Sequence, residues 1–258
     1  MPIFTSPNDI AFNIFGIEIY YYGLFMALGI LSSIFVANKL GNKYFNLNNL
    51  LIDISVPILI SGIIGARLYY CALNYDYYIY NCPEIFFIRG GGLSIHGAII
   101  GGAICLFFQA KKQKFNFGNI CDIFACTLPL GQAIARWGNF FNSEAFGTPT
   151  NLPWKLFIPL ENRPEMFINY EYFHPAFLYE SILDILIFII LLTLINRDKQ
   201  LPIGNISAIY IIMYSIARII VESIRIDSQQ IILGVPFPTF ISILLILFAT
   251  LFLIKKAK

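Results

Sequence analysis

Charge is what this sequence has least of. Only 12% of its 258 residues are Asp, Glu, Lys or Arg, against about 25% in a soluble domain. Net charge is +2, too little to build a phosphate-binding surface, so nucleic acid is excluded as a partner. Cysteine is sparse and unpatterned. Cys71, Cys82, Cys105, Cys121 and Cys126 show no paired spacing. Four of them sit in apolar runs, where cysteine is a small buried hydrophobe, which argues against a disulfide framework or a zinc site. Acidic residues do not cluster either: Asp53, Asp122 and Asp184 stand alone, so no Mg²⁺ site and no metal are expected. No basic segment precedes an apolar stretch within residues 1–13, so the start does not read as a cleavable signal peptide. There is no internal repeat and no linker.

What is abundant is apolar chain. Hydrophobic residues make up 58%, and mean hydropathy is +0.72. Apolar runs at residues 17–37, 50–73, 93–109, 119–135, 175–195, 204–223 and 236–254 predict an all-α integral membrane protein with about seven transmembrane helices. Basic residues orient them. Lys39 and Lys43, then Lys111, Lys112 and Lys114, then Arg197 and Lys199, then Lys255, Lys256 and Lys258 fall on one side. By the positive-inside rule that side is cytoplasmic, which puts the N-terminus outside and the C-terminus inside. Residues 1–258 then read as a single transmembrane catalytic domain. Residues 137–174, rich in proline and aromatics, form an inserted periplasmic head segment. A shorter outer segment, 74–92, carries Tyr75, Tyr77, Tyr78 and Tyr80 and ends in Gly90-Gly91-Gly92.

Of the remaining basic residues, Arg89, Lys155, Arg163 and Arg225 fall in outer loops or at their edges. Arg67, Arg136 and Arg218 fall within or at the ends of spans. No lysine lies in a span interior. An arginine there stays charged and presents a fork suited to phosphate oxygens. A cation at such depth costs roughly 2.5–3.5 kcal/mol on insertion scales and needs a protein partner or an anionic ligand. Arg136 follows the apolar run 123–134 and opens Arg136-Trp137-Gly138-Asn139-Phe140-Phe141-Asn142-Ser143-Glu144-Ala145-Phe146-Gly147. Asn139 lies one helical turn on, so both side chains can face one point. The alternative is a structural polar cluster that joins helices. His96, in Gly91-Gly92-Leu93-Ser94-Ile95-His96-Gly97, reads as a base, a phosphate ligand, or a core histidine bonded to a carbonyl. Gly97 and Gly101 permit close helix contact there, as do Gly62 and Ala66 in the preceding span. Tyr214, Arg218, Glu222 and Arg225 form one polar stripe on a helix. That stripe could equally be an internal ion pair.

These segments resemble the prolipoprotein diacylglyceryl transferase family. Residues 135–147 are similar to its Gly-Arg-x-Gly-Asn-Phe-x-Asn-x-Glu-x-x-Gly motif, with Ala135 in place of the first glycine. Tyr22-Gly23, Gly65-Ala66-Arg67, the His96-Gly97 segment, His174-Pro175-Ala176-Phe177-Leu178-Tyr179-Glu180 and Tyr214-x-x-x-Arg218-x-x-x-Glu222-x-x-Arg225 resemble further family elements, in family order. Phe177 replaces a common glutamine. The resemblance implies catalytic roles for His96, Arg136, Arg218 and Tyr22. It implies substrate contacts from Arg136, Asn139, Asn142, Glu144, Gly147, Tyr214 and Arg67, and no cofactor. Its substrates would be phosphatidylglycerol and a prolipoprotein lipobox peptide, met at the lipid bilayer of a bacterial inner membrane. His96 would take the thiol proton, and the arginines would hold the leaving phosphate. His174, Glu180 and Asp184 carry no assigned role. A small-anion transporter would instead need a polar path across the whole membrane and repeated halves. A metal-dependent phosphotransferase would need an acidic cluster. Neither pattern is present.

Overall fold

A computed structural model describes residues 4–6, 8–88, 91–197, 201–226, 231–232 and 234–257. Arg89, Gly90, Lys199 and Lys258 of the sequence reading lie outside them. The chain forms β1 (Phe4–Thr5), β2 (Ile10–Ile14), β3 (Ile17–Tyr20), α1 (Tyr21–Phe45), α2 (Leu50–Leu73), the short α3 (Tyr75–Tyr78), α4 (Ile95–Lys112) and α5 (Phe117–Phe141). It continues through β4 (Leu156–Phe157), β5 (Tyr172–Phe173), α6 (Ala176–Ile195), α7 (Asn205–Glu222), β6 (Ile231–Ile232), β7 (Val235–Pro236) and α8 (Phe237–Ala257). Among the described residues, six helices are long and apolar enough to cross a membrane: α1, α2, α5, α6, α7 and α8. The chain is a helical, multi-pass membrane protein. The third expected span is also a helix, α4. Its 18 residues include His96, Gln109, Lys111 and Lys112, and these dilute its apolar length below that of the six.

Two helices differ from the apolar runs. The first run was read from residue 17, but residues 17–20 pair as β3 with β2 in a hairpin, and α1 begins at Tyr21. The fourth run was read as ending at residue 135. α5 continues to Phe141, because Trp137, Phe140 and Phe141 extend its apolar contacts past the polar motif. Phe141 stacks on Tyr21 at 4.1 Å between ring centroids. Arg136 therefore sits inside a helix, not at its exit.

The chain divides into two compact units, Met1–Val36 with Cys121–Lys258, and Ala37–Ile120. In the first, α1 meets α5 where Gly29 faces Gly131 and Ser33 donates to the Thr127 carbonyl at 3.0 Å. Ser181 of α6 donates to the Ala133 carbonyl of α5 at 2.9 Å. Asp122 of α5 accepts from the Gly204 and Ser207 amides at 2.6 and 2.8 Å. It thereby caps the N-terminus of α7, where orphan N–H groups and the helix dipole favour an anion. After α5, the three-stranded sheet β1-β4-β5 covers an aromatic core. Phe146, Leu156, Ile158, Phe173 and Phe177 are its buried members, with Phe4, Trp137 and Phe140 packed against them. The phenylalanine at 177 fits this setting: its ring tilts against Phe140 at 5.1 Å and meets Trp137 edge-on at 5.5 Å.

In the second unit, α2 and α4 pack through small residues. A β-carbon at Gly65 would strike the Gly97 carbonyl, one at Gly97 would strike Gly65, and one at Gly101 would strike the Ser61 carbonyl. Ser61 also donates to the Gly101 carbonyl at 2.9 Å. Gly65 is the residue at the closest approach on α2, rather than Gly62. Such contacts let backbones approach where lipid offers no hydrophobic drive between helices.

Candidate active site

The polar centre of the first unit is built around one carboxylate. Glu180, one turn into α6, is buried among arginines from two other parts of the unit. Arg136 of α5 contacts its Oε2 through Nε at 2.5 Å. Arg218 of α7 contacts Oε1 through Nη1 at 3.2 Å, and Arg225, just past α7, does so through Nη1 at 3.0 Å. The stripe on α7 closes as well: Arg218 Nη2 meets Glu222 Oε2 at 2.6 Å, the spacing-four pair of a helix. Three guanidinium groups this close repel one another, and the carboxylates offset that repulsion. Leaving Glu180 with no arginine partner would strand a buried charge at a cost of about 3–5 kcal/mol.

Arg136 is the least engaged of the three. Its Nε is fixed by Glu180. Among the described residues its two terminal nitrogens take no hydrogen-bond partner, and the side chain is 24% exposed. It lines a cavity of about 10 Å³ with Glu180, Asp184, Tyr214 and Arg218, room for about one water. Asp184, one turn beyond Glu180, is buried, and its Oδ2 has no hydrogen-bond partner among the described residues. Tyr214 lies beside Tyr210 at 5.8 Å between rings, and the Tyr210 hydroxyl donates to Gln132 at 3.1 Å.

Past Arg136 the motif folds back on itself. Asn139 and Asn142 both donate to Glu144 Oε1, at 2.9 and 3.3 Å, so the two amides hold the glutamate. Left-handed backbone at Ser143 (φ 51°) and Ala145 (φ 55°) makes this turn. Tyr22 packs on Gly138, where a β-carbon would lie 2.9 Å from the tyrosine ring, and it is within electrostatic reach of Glu144 and Arg136. Gly147 threads between His174 and Ile224. A β-carbon there would lie 2.9 Å from both the His174 β-carbon and the Ile224 carbonyl oxygen, and Gly147 bridges to Arg225 as an isolated strand pair. The glycine thus ties the motif to the segment that carries Arg225.

Beside it runs a second polar chain. Trp154 Nε1 donates to the Tyr179 hydroxyl at 2.8 Å, and that hydroxyl meets His174 Nδ1 at 3.1 Å. The Tyr179 hydroxyl thus links Trp154 to the His174 ring. Partial burial holds the His174 ring below the usual histidine range.

The second unit carries the other two expected residues. Arg67 is 7% exposed and spends all five of its N–H donors on backbone carbonyls: Ile85, Gly91, Gly92, Glu84 and Phe87, at 2.9, 3.1, 3.0, 2.5 and 3.0 Å. Its fork clamps the loop that leads to α4. Gly92 has φ +72° and no room for a side chain against Arg67 and Tyr70. His96 is in the first turn of α4, exposed, with its ring 6.1 Å from that of Tyr69.

The sequence reading put Arg218 near Arg136, and both meet at Glu180. It left Glu180 without a role, and it placed Arg225 both at a loop edge and at the end of the α7 stripe without joining it to Glu180. The signal for Glu180 was present: an acidic residue in an otherwise apolar helix demands a cation. The signal for Arg225 was its place in the α7 stripe.

Residues 9–255 match the family model described as prolipoprotein diacylglyceryl transferase. The chain belongs to this family. It is 43% identical over 230 residues to the phosphatidylglycerol–prolipoprotein diacylglyceryl transferase of Nostoc sp., a match covering 88% of this chain and 81% of that protein. The protein of the same name from Trichormus variabilis is also 43% identical, covering 88% and 82%. That from Synechocystis sp. is 41% identical, covering 87% and 81%. The match takes in every site residue named above.

Proposed function

We propose that this protein transfers the diacylglyceryl group of phosphatidylglycerol to the lipobox cysteine of a prolipoprotein, the first step of bacterial lipoprotein maturation. The observation that carries the reading is the arginine cluster on Glu180, with the terminal nitrogens of Arg136 unengaged among the described residues. That is a preorganised set of donors for a lipid phosphate at the polar centre of an otherwise apolar chain.

The chemistry balances without a further reactant. The peptide thiol loses its proton, because the thiolate is the nucleophile. A base must take that proton, and His96 is the candidate that the family resemblance implies. Sulfur bonds to the glyceryl carbon that bore the phosphate, the carbon–oxygen bond breaks, and its electron pair stays on the phosphate oxygen. A thioether and glycerol phosphate result. Arg136 and Arg218 take up the charge that grows on the phosphate. Glu144, held by Asn139 and Asn142, orients the glycerol head, and Tyr22 and Tyr214 are further donors. Arg67 acts on substrate only through the loop it clamps. The acyl chains stay in lipid.

Orientation follows from charge. The N-terminus lies outside and the C-terminus inside, α4 is the third of seven spans, and the segment from the end of α5 to residue 174 faces the outside as a head on the bacterial inner membrane. The test uses purified protein, phosphatidylglycerol labelled in its headgroup, and two peptides that differ by cysteine or serine at the lipobox. Labelled glycerol phosphate released with the cysteine peptide alone supports the reading. Release with both peptides, or with neither, overturns it.

A further inference from the structure

The charges of the arginine cluster can be counted. Arg136, Arg218 and Arg225 bring three positive charges, and Glu180 and Glu222, ion-paired to them, bring two negative ones. The paired set is +1. Asp184 lines the same cavity outside these ion pairs, and ionised it would bring the set to zero. Among the described residues, the three arginines with these carboxylates therefore carry at most one net positive charge.

The transfer reaction changes the charge of its phosphate. The diester enters with one negative charge, and the monoester leaves with between one and two at neutral pH. Three uncompensated guanidinium groups would hold the product harder than the substrate, and release would limit turnover. The Glu180 carboxylate sits where the three arginines converge, and the cavity beside it has room for about one water. Added negative charge on a phosphate held by these arginines is therefore opposed by the Glu180 carboxylate that the same arginines pair with.

We propose that Glu180 and Glu222 set the selectivity of this cluster for a phosphodiester over a phosphomonoester, and so drive the exit of the product headgroup. This rests on the transferase reading above. Both are positioning residues that act through the arginines they hold. Their removal strengthens the binding of one anion class more than the other, which loss of packing does not do.

The experiment uses the full chain in detergent with two soluble probes, glycerol phosphate as monoester and glycerophosphoglycerol as diester, titrated calorimetrically without peptide. In E180Q, monoester affinity rises about tenfold relative to diester affinity, because one unit charge is removed beside the phosphate. In transfer assays, turnover falls, KM for phosphatidylglycerol does not rise, and added glycerol phosphate inhibits more strongly. E222Q moves the ratio in the same direction, and it carries the test if E180Q does not fold. A folded variant in which both probes weaken together, or in which the ratio stays at the wild-type value, overturns the proposal. Absence of lipid transfer by the wild-type protein would instead defeat the transferase reading, and the probe ratio would still decide the charge argument.

Discussion

Arg136 offers one nitrogen to Glu180 and keeps two. On the proposed reading that division favours arginine over lysine, because a rigid planar fork can keep one edge on Glu180 and present the other to a phosphate, geometry a point-like ammonium does not fix. Arg136→Ala is expected to lower kcat/KM for lipid transfer by 10²-fold or more, in the range of a lost oxyanion donor. Arg136→Lys is expected to recover less than about a tenth of the wild-type value. Both should insert and melt near the wild-type temperature, because Arg218 and Arg225 still pair with Glu180. Lysine at full activity would remove the fork from the account. At this scale Arg136 and Arg218 were marked in the sequence by depth and Asn139 by its spacing, while Asn142 and Glu144 came with the family resemblance. The direction of the amides did not follow from spacing, since a left-handed turn at Ser143 and Ala145 swings Glu144 back onto them.

His174 allows a prediction in pH. Its ring is held below the usual histidine range, so the folded state resists a proton that the unfolded chain takes up near pH 6.5. The unfolded state then binds more protons, and stability rises with pH across that window. The melting temperature should fall as pH drops below about 6.5, and His174→Gln should flatten that slope. An unchanged slope in the variant would assign the pH dependence elsewhere.

Among elements, the loop before α4 depends on one side chain. Five carbonyls receive their donor from the buried Arg67, and each hydrogen bond from a charged donor contributes to holding the loop. Arg67→Ala is expected to lose about 3–5 kcal/mol of stability, and Arg67→Lys to recover little of it, because an ammonium has three donors and no fork. Melting in detergent checks both, and a lysine variant as stable as wild type would contradict the clamp. Sequence reading saw a cation at depth and assigned it to substrate. The carbonyls that meet it are loop backbone, and backbone leaves no mark in a pattern of residue types. The α2–α4 contact was legible as small residues at spacing four. Its register, Gly65 on Gly97, was not. Gly97→Val should prevent this contact, seen as loss of folded protein after extraction, whereas Gly62→Ala, with the Ala98 carbonyl 3.5 Å from an added β-carbon, should be tolerated.

For the whole molecule, apolar length alone located every long helix, because a bilayer demands about 20 apolar residues per span. Polar function blurred the ends. α4 gives up apolar length to His96 and its lysines, and α5 carries Arg136 inside a helix that the hydropathy pattern ends at residue 135. A labelling scan with single cysteines in a chain otherwise free of them would read the topology: residues near Lys112 and Lys255 should be reachable only from the cytoplasmic side. The most direct test of the account is the intact mass of a lipobox peptide after incubation with the purified protein and phosphatidylglycerol. The account predicts a mass increase of one diacylglyceryl group, on the cysteine and stable to hydroxylamine as a thioether is. An unmodified peptide, or a hydroxylamine-labile acyl adduct, would contradict it.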